Sequence, residues 1–202
     1  MELGSKSTVY LLIQKDREHP LTVEYAADLP TSQYGSGFPR RPQPGKMDFR
    51  FNYEESLFNL NNIYKSPNSM LRVVDAKKEN ISGISQPWMY VGMQFATFCW
   101  HVEDLFINSV NYNHSGATKT WYVIPACHKE RFDQFVQETY ENGKKKYLLE
   151  KIILMVDPLE IMKVGIKVYK IQQRPRDYAC TFVKVAQLRF RPTTGAFPTG
   201  ST

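Results

Sequence analysis

The spacing of hydrophobic positions changes along this chain and separates a strand-rich part from a helical one. From Trp88 to Pro125 the sequence is WMYVGMQFATFCWHVEDLFINSVNYNHSGATKTWYVIP, dense in aromatic and β-branched residues, a composition that favours strands. Its first clear turn signal is His114-Ser115-Gly116. Strands at 108–112 and 118–123 would close a hairpin around Ser115, setting Asn111 opposite Lys119 and both on one face with Ser109 and Trp121. After Pro125 the spacing becomes three and four. Phe132, Phe135, Val136 and Tyr140 mark an amphipathic helix over 127–141. Residues 147–155 are more apolar and predict a second helix that ends before Pro158. Ile166 to Ile171 alternates apolar with polar as a half-buried strand does, Arg174 to Asp177 is a turn, and Tyr178 to Val185 is a further strand.

Before Trp88 the pattern is weaker. Residues 1–20 read as a tail with one strand-sized apolar run, Val9 to Ile13. Between 21 and 50, short β-like pieces alternate with Pro39, Pro42, Pro44 and Gly45. Proline lacks a ladder donor and glycine tolerates positive φ, so this is expected to be a loop ordered by its aromatics, not a helix. Residues 53–63 predict a helical turn or two, broken at Ser66-Pro67-Asn68; Met70 to Val74 follows as a strand and Ala76 to Asn80 as a charged turn. From Pro192 the sequence PTTGAFPTGST is turn-rich, and 191–202 is expected to be disordered. The main domain is thus placed at 21–190, with a helical insert at 127–155.

Composition narrows the class. A chain of 202 residues with 42% hydrophobic content suits one domain with a sizeable core. No apolar run approaches the ~18 residues of a membrane span, and the N-terminus has no signal-peptide core, so no membrane partner is expected. Cys99, Cys127 and Cys180 lie far apart without a CxxC pair. They read as reduced, buried thiols of an intracellular protein, neither a disulfide framework nor a zinc site. A net charge of +6 is compatible with chromatin contact, but nothing here reads a nucleic-acid sequence. The run Lys144-Lys145-Lys146 is a solvated loop.

The candidate chemistry begins at His101-Val102-Glu103. On a strand, residues two apart share a face; on a helix they would point about 200° apart. An imidazole and a carboxylate side by side are two of the three ligands of the facial triad in non-haem Fe(II) oxygenases. His-x-Glu alone is common, and a core histidine beside a surface glutamate explains most instances. An Asn111/Lys119 pair looking into a barrel would suit a carboxylate, the ammonium giving a charge-assisted hydrogen bond. By spacing alone, Lys119 is an ordinary solvated lysine at a turn.

Longer blocks decide between these readings. Tyr90-Val91-Gly92-Met93, Phe98-Cys99-Trp100-His101-Val102-Glu103-Asp104, Ser109-Val110-Asn111-Tyr112 and Lys119-Thr120-Trp121-Tyr122-Val123-Ile124-Pro125 resemble, in order and spacing, the JmjC domain of histone lysine demethylases. Val23 to Asp28, Gly35-Ser36-Gly37-Phe38-Pro39 and Asn59-Leu60-Asn61-Asn62 resemble its JARID-type branch. The likeness runs from about Thr22 to Phe182. It implies a mainly β fold with a helical insert, a cupin-like double-stranded β-helix (a jelly-roll barrel) whose C-terminal part is incomplete here. It also implies a nuclear enzyme that uses Fe(II) and 2-oxoglutarate on the methylated histone H3 tail. Such an enzyme hydroxylates an N-methyl group to a hemiaminal that releases formaldehyde, while 2-oxoglutarate and dioxygen become succinate and carbon dioxide. The iron ligands would be His101 and Glu103. The keto acid would be held by Lys119, Asn111, Tyr25 and a stacking Phe98, with a hydroxyl from Ser109.

The resemblance fails at the third iron ligand. Cys180-Thr181-Phe182 matches the start of the family's Thr-Phe-Pro-(Arg/Lys)-Ala-Tyr-His segment, but the chain continues Val183-Lys184-Val185-Ala186-Gln187. Gln187 stands where the histidine is expected, and a neutral amide oxygen is a poorer ligand than imidazole. His19, His114 and His128 are not placed to replace it. Three functions follow: a JARID-type demethylase, a JmjC module that binds chromatin or partner proteins without catalysis, and a JmjC protein hydroxylase. The Gly35 to Pro39 block counts against the last.

Overall fold

The structure, a computed structural model, describes residues 23–39, 55–72, 81–103, 107–140, 148–149, 151–152, 154–182, 185–190 and 197–201. In chain order these form β1 (Tyr25–Pro30), α1 (Thr31–Tyr34), a 3-10 turn (Ile63–Lys65), β2 (Trp88–Gly92), β3 (Thr97–His101), β4 (Ser109–Asn113) and β5 (Lys119–Ile124). A 3-10 turn (Ala126–His128) then leads into α2 (Lys129–Thr139). The remaining elements are α3 (Pro158–Lys163), β6 (Tyr169–Gln173), β7 (Tyr178–Thr181), β8 (Ala186–Phe190) and β9 (Phe197–Ser201). The strands make two antiparallel sheets, ordered β1-β2-β9-β4-β7 and β3-β8-β5-β6. This is the mainly β, cupin-like class with a helical insert that the sequence predicts, in two sheets that do not close into one ring among the described residues.

Strand alternation gives the second sheet two different faces. Tyr122, Ile124, Trp100 and Ala186 pack with Phe132 and Val136 of α2 and with Ile161 of α3 in one apolar cluster. Trp100 is fully buried there, its indole N–H donating to the Val156 carbonyl at 3.0 Å while its backbone N–H donates to Leu154 O at 2.9 Å. The alternate residues of β5, Lys119 and Trp121, are also buried, on the side where side chains of the first sheet meet them. The apolar core therefore lies between sheet and helices, and a polar interior lies between the sheets. The predicted face of α2 is the face that packs, with Phe132 and Val136 buried and Phe135 and Tyr140 beside them.

Several sequence expectations are corrected. The hairpin at Ser115 does not form: β4 pairs with β7 and β9, whereas β5 pairs with β8 and β6. The segment around Gly116, at φ 88°, carries the chain from one sheet to the other. The second helix expected over 147–155 is not a helix in its described residues. Leu148, Leu149, Lys151 and Ile152 are turn, Ile152 has φ 53°, and Leu154 bridges to Trp100. The helix comes later, where the Asp157 side chain accepts from Leu159 N at 2.8 Å and Pro158 fills the first turn. That aspartate-proline pair is a helix-start signal that apolar spacing overlooks.

In 23–39, the described part of the loop expected over 21–50, Tyr25–Pro30 is β1 and Thr31–Tyr34 is one turn of α1. Met70 and Leu71 are turn, with Met70 90% exposed, and the rest of that expected strand lies outside the described residues, as does the run at Val9 to Ile13. Of the half-buried strand expected over Ile166 to Ile171, Ile166 is buried and Val168 packs on the core, whereas Tyr169 and Ile171 are exposed on the edge strand β6 and Gln173 is buried instead. The strand from Tyr178 ends at Thr181, and Gln187 lies on a separate strand in the other sheet. The tail expected to be disordered supplies β9, which pairs with β2 and β4. Backbone ladders need no apolar side chains, and β9 occupies the gap where two strand edges would carry unpaired N–H and C=O groups. Of the cysteines, Cys127 and Cys180 are exposed, not buried.

Candidate functional site

Predicted site residues converge between the sheets in two groups. The first lies at the C-terminal end of β3. The register of β3 against β8 shifts between Phe98 and His101, and beyond the shift His101 pairs with Gln187. Phe98 and His101 are three residues apart, which strict alternation would put on opposite faces; with the bulge their rings approach to 5.8 Å. His101 Nδ1 lies 2.7 Å from the Cys99 carbonyl. A carbonyl only accepts, so Nδ1 carries a proton, and in the neutral ring the lone pair is on Nε2. Glu103 Oε1 accepts from Ser109 Oγ of β4 at 2.7 Å, and Ser109 Oγ is 2.5 Å from Thr181 Oγ1 of β7.

The second group is Lys119 and Asn111. Lys119 is 4% exposed, yet its Nζ donates to Asn111 Oδ1 at 2.7 Å. Asn111 is two residues from Ser109 on β4, so the two corners lie about 6.6 Å apart along one strand face, at ~3.3 Å per residue. Gln173 keeps this strand against the second sheet, donating from Nε2 to the Asn111 carbonyl at 2.9 Å and accepting from Trp121 Nε1 at 3.0 Å.

Phe98 joins the metal-type corner to an aromatic wall. Tyr25 meets it edge-on at 5.3 Å and Tyr90 at 5.4 Å. Tyr90 is fixed by its hydroxyl, which donates to Asp28 Oδ1 at 2.8 Å. Tyr25 stands opposite Gly92, where any Cβ would lie 2.7 Å from Ala96 Cβ and 3.0 Å from the Tyr25 ring. Tyr25 thus depends on glycine at that position.

All eight predicted residues lie in this region: Gln187 hydrogen-bonds to both His101 and Glu103, Ser109 to Glu103, Lys119 to Asn111, and Phe98 touches both His101 and Tyr25. Sequence reasoning missed Thr181, Gln173 and Tyr90. Thr181 is in the quoted family segment, but its bond to Ser109 depends on the β4–β7 pairing. A polar cleft of about 730 Å³, lined by residues including Thr31, Asn59, Asn61, Tyr64 and Ser85, contains none of the eight. There Asn59 has a structural use, its Nδ2 donating to the Pro39 carbonyl at 2.8 Å and tying two of the JARID-like blocks together.

Whether these residues fit Fe(II) turns on the donor set. His101 suits a metal well, since a ligating histidine usually donates its other N–H to a carbonyl or carboxylate. Glu103, oriented by Ser109, suits it equally. Gln187 does not: its amide nitrogen, an N–H donor, faces both His101 Nε2 (3.3 Å) and Glu103 Oε1. Among the described residues no group of three His, Cys, Asp or Glu side chains could hold a metal. As arranged, the site offers two ligands and a donor in place of the third.

Residues 88–186 match the JmjC family (JmjC domain, hydroxylase). The chain is 39% identical over 168 residues to lysine-specific demethylase JMJ17 of Arabidopsis thaliana, covering 80% of this chain and 14% of that protein. It is 37% identical over 172 residues to lysine-specific demethylase 5B of Gallus gallus, covering 82% of this chain and 11% of that protein. With lysine-specific demethylase rbr-2 of Caenorhabditis briggsae it shares 34% over 170 residues, again 82% and 11%. The chain thus spans no more than about a seventh of the length of these relatives. The matched residues include β3, β4 and β5 and the site they carry, and the chain belongs to the JmjC family, with its JmjC domain at residues 88–186.

Proposed function

We propose that this chain is the JmjC module of a JARID-type histone lysine demethylase, acting in the nucleus on the methylated histone H3 tail, and that it binds 2-oxoglutarate between its two sheets. The observation that carries this reading is the buried Lys119–Asn111 pair. A buried ammonium held beside an amide can give a carboxylate a charge-assisted hydrogen bond, and a dicarboxylate supplies one. Asn111 would orient the distal carboxylate, and Phe98 and Tyr25 would hold the carbon chain. The relatives' printed names, all lysine-specific demethylases, support the substrate class.

In the family, Fe(II) supplies dioxygen activation. No oxidation step is derived for this chain, because Gln187 presents a donor to the two remaining ligands. The module is read as one that binds cosubstrate and methylated tail without turning them over. One observation favours the second reading, an active demethylase: Gln187 Oε1 is buried with no hydrogen-bond partner, and turning the amide would offer it as an oxygen ligand. Binding and formaldehyde release from a panel of methylated and unmethylated histone H3 peptides, with 2-oxoglutarate and Fe(II), test both. Methyl-dependent binding without formaldehyde is expected. Formaldehyde release establishes the second reading, and equal binding of methylated and unmethylated peptides overturns the proposal.

A further inference from the structure

The third-ligand position is filled by a group of matched chemistry. A carboxamide nitrogen carries two hydrogens, and two acceptors face it: the lone pair of His101 Nε2 and Glu103 Oε1. With Nδ1–H directed at Cys99 O, the neutral ring has its lone pair at Nε2, and the reverse amide orientation would then set an oxygen against a lone pair and a carboxylate at once. Gln187 is 1% exposed, and a mispaired polar contact at such depth is costly. Two further features hold the arrangement. Ser109 Oγ donates to the same Glu103 oxygen, and the β3–β8 register sets Gln187 directly across from His101.

We propose that the Gln187 amide stands in for the metal: its two N–H bonds replace the two metal–ligand bonds to His101 and Glu103 and close the site to divalent cations. The corner is then a metal-independent hydrogen-bonded triad, and the fold around it needs no ion. The glutamine is a replacement with its own contacts, which a small apolar residue at 187 would lack. The inference rests on the JmjC reading of His101 and Glu103 but not on keto-acid or peptide binding.

The test is calorimetric titration of Mn(II) into the full chain, with thermal melts in EDTA and in Mn(II). Wild type should bind Mn(II) at least ~100-fold more weakly than Gln187→His, the upper range for loss of even an outer support of a metal ligand. Its melting temperature should be the same in EDTA and Mn(II). Gln187→Glu should be destabilised in EDTA by a second carboxylate facing Glu103 and recover in Mn(II). Wild type binding Mn(II) as tightly as Gln187→His overturns the inference, because Oε1 must then have turned inward. Should both variants fail to fold, the side-chain 15N signal of wild-type Gln187 decides: unchanged by Mn(II) supports the triad, and broadened to loss by stoichiometric Mn(II) overturns it. Failure of 2-oxoglutarate or peptide binding, with Mn(II) still excluded, would count against the proposed function and leave this inference standing.

Discussion

Lys119 Nζ reaches Asn111 Oδ1 at 2.7 Å although the two residues belong to different sheets. The pair therefore ties the sheets together through the polar interior, as the Gln173 amide does through the Asn111 carbonyl. A hairpin contact would have been local and solvated; this one is buried and depends on the relative placement of the sheets.

The apolar cluster behind the second sheet should dominate stability. Phe132 is fully buried and its ring centroid lies 5.5 Å from that of Trp100. Phe132→Ala should cost about 3–5 kcal/mol, by lost transfer energy and the cavity left behind. Urea unfolding checks this; a loss under ~1 kcal/mol would mean α2 is not seated on the sheet.

The start of α3 makes a smaller, separable contribution. Asp157→Ala removes the acceptor for Leu159 N and should cost about 1 kcal/mol. Asp157→Asn should retain most of it. Equal losses for the two substitutions would show that charge, not the cap bond, matters there.

His114 predicts a pH dependence. Burial lowers its pKa below 6.5, with the Ser36 backbone contact opposing and the Lys119 charge assisting. Its ring packs against Phe38 at 4.8 Å and Tyr112 at 4.7 Å. Because the native value is depressed, the unfolded chain binds the proton first as acid is added. Stability is intact above 6.5, falls as pH drops from there to the lowered native value, and levels off below it. Denaturant melts between pH 7.5 and 5 should show this slope, and His114→Leu should flatten it. An unchanged slope in the variant would assign the titration to another group.

The sequence made the site legible and the path to it less so. His101, Glu103, Lys119 and Asn111 stand out in the sequence because the family-like blocks around them are long, and the structure brings them between the sheets. The route was misjudged at Ser115, where local spacing cannot distinguish a hairpin from a crossing between sheets. Phe98 and His101 share a face only through a bulge that no periodicity announces. β9 was missed because PTGS carries no strand signal, and its place is set by backbone pairing with β2 and β4. The orientation of the Gln187 amide was beyond any sequence reading, since it follows from the tautomer of a histidine on a different strand.

The claim that the interior binds a dicarboxylate through Lys119 is tested most directly by calorimetry with 2-oxoglutarate in EDTA, comparing wild type with Lys119→Ala and the size-conserving Lys119→Met. Wild type should bind, and both variants should lose at least ~30-fold in affinity, the equivalent of roughly 2 kcal/mol for removing one partner of a buried charged contact. Binding of equal strength in wild type and both folded variants would contradict the account.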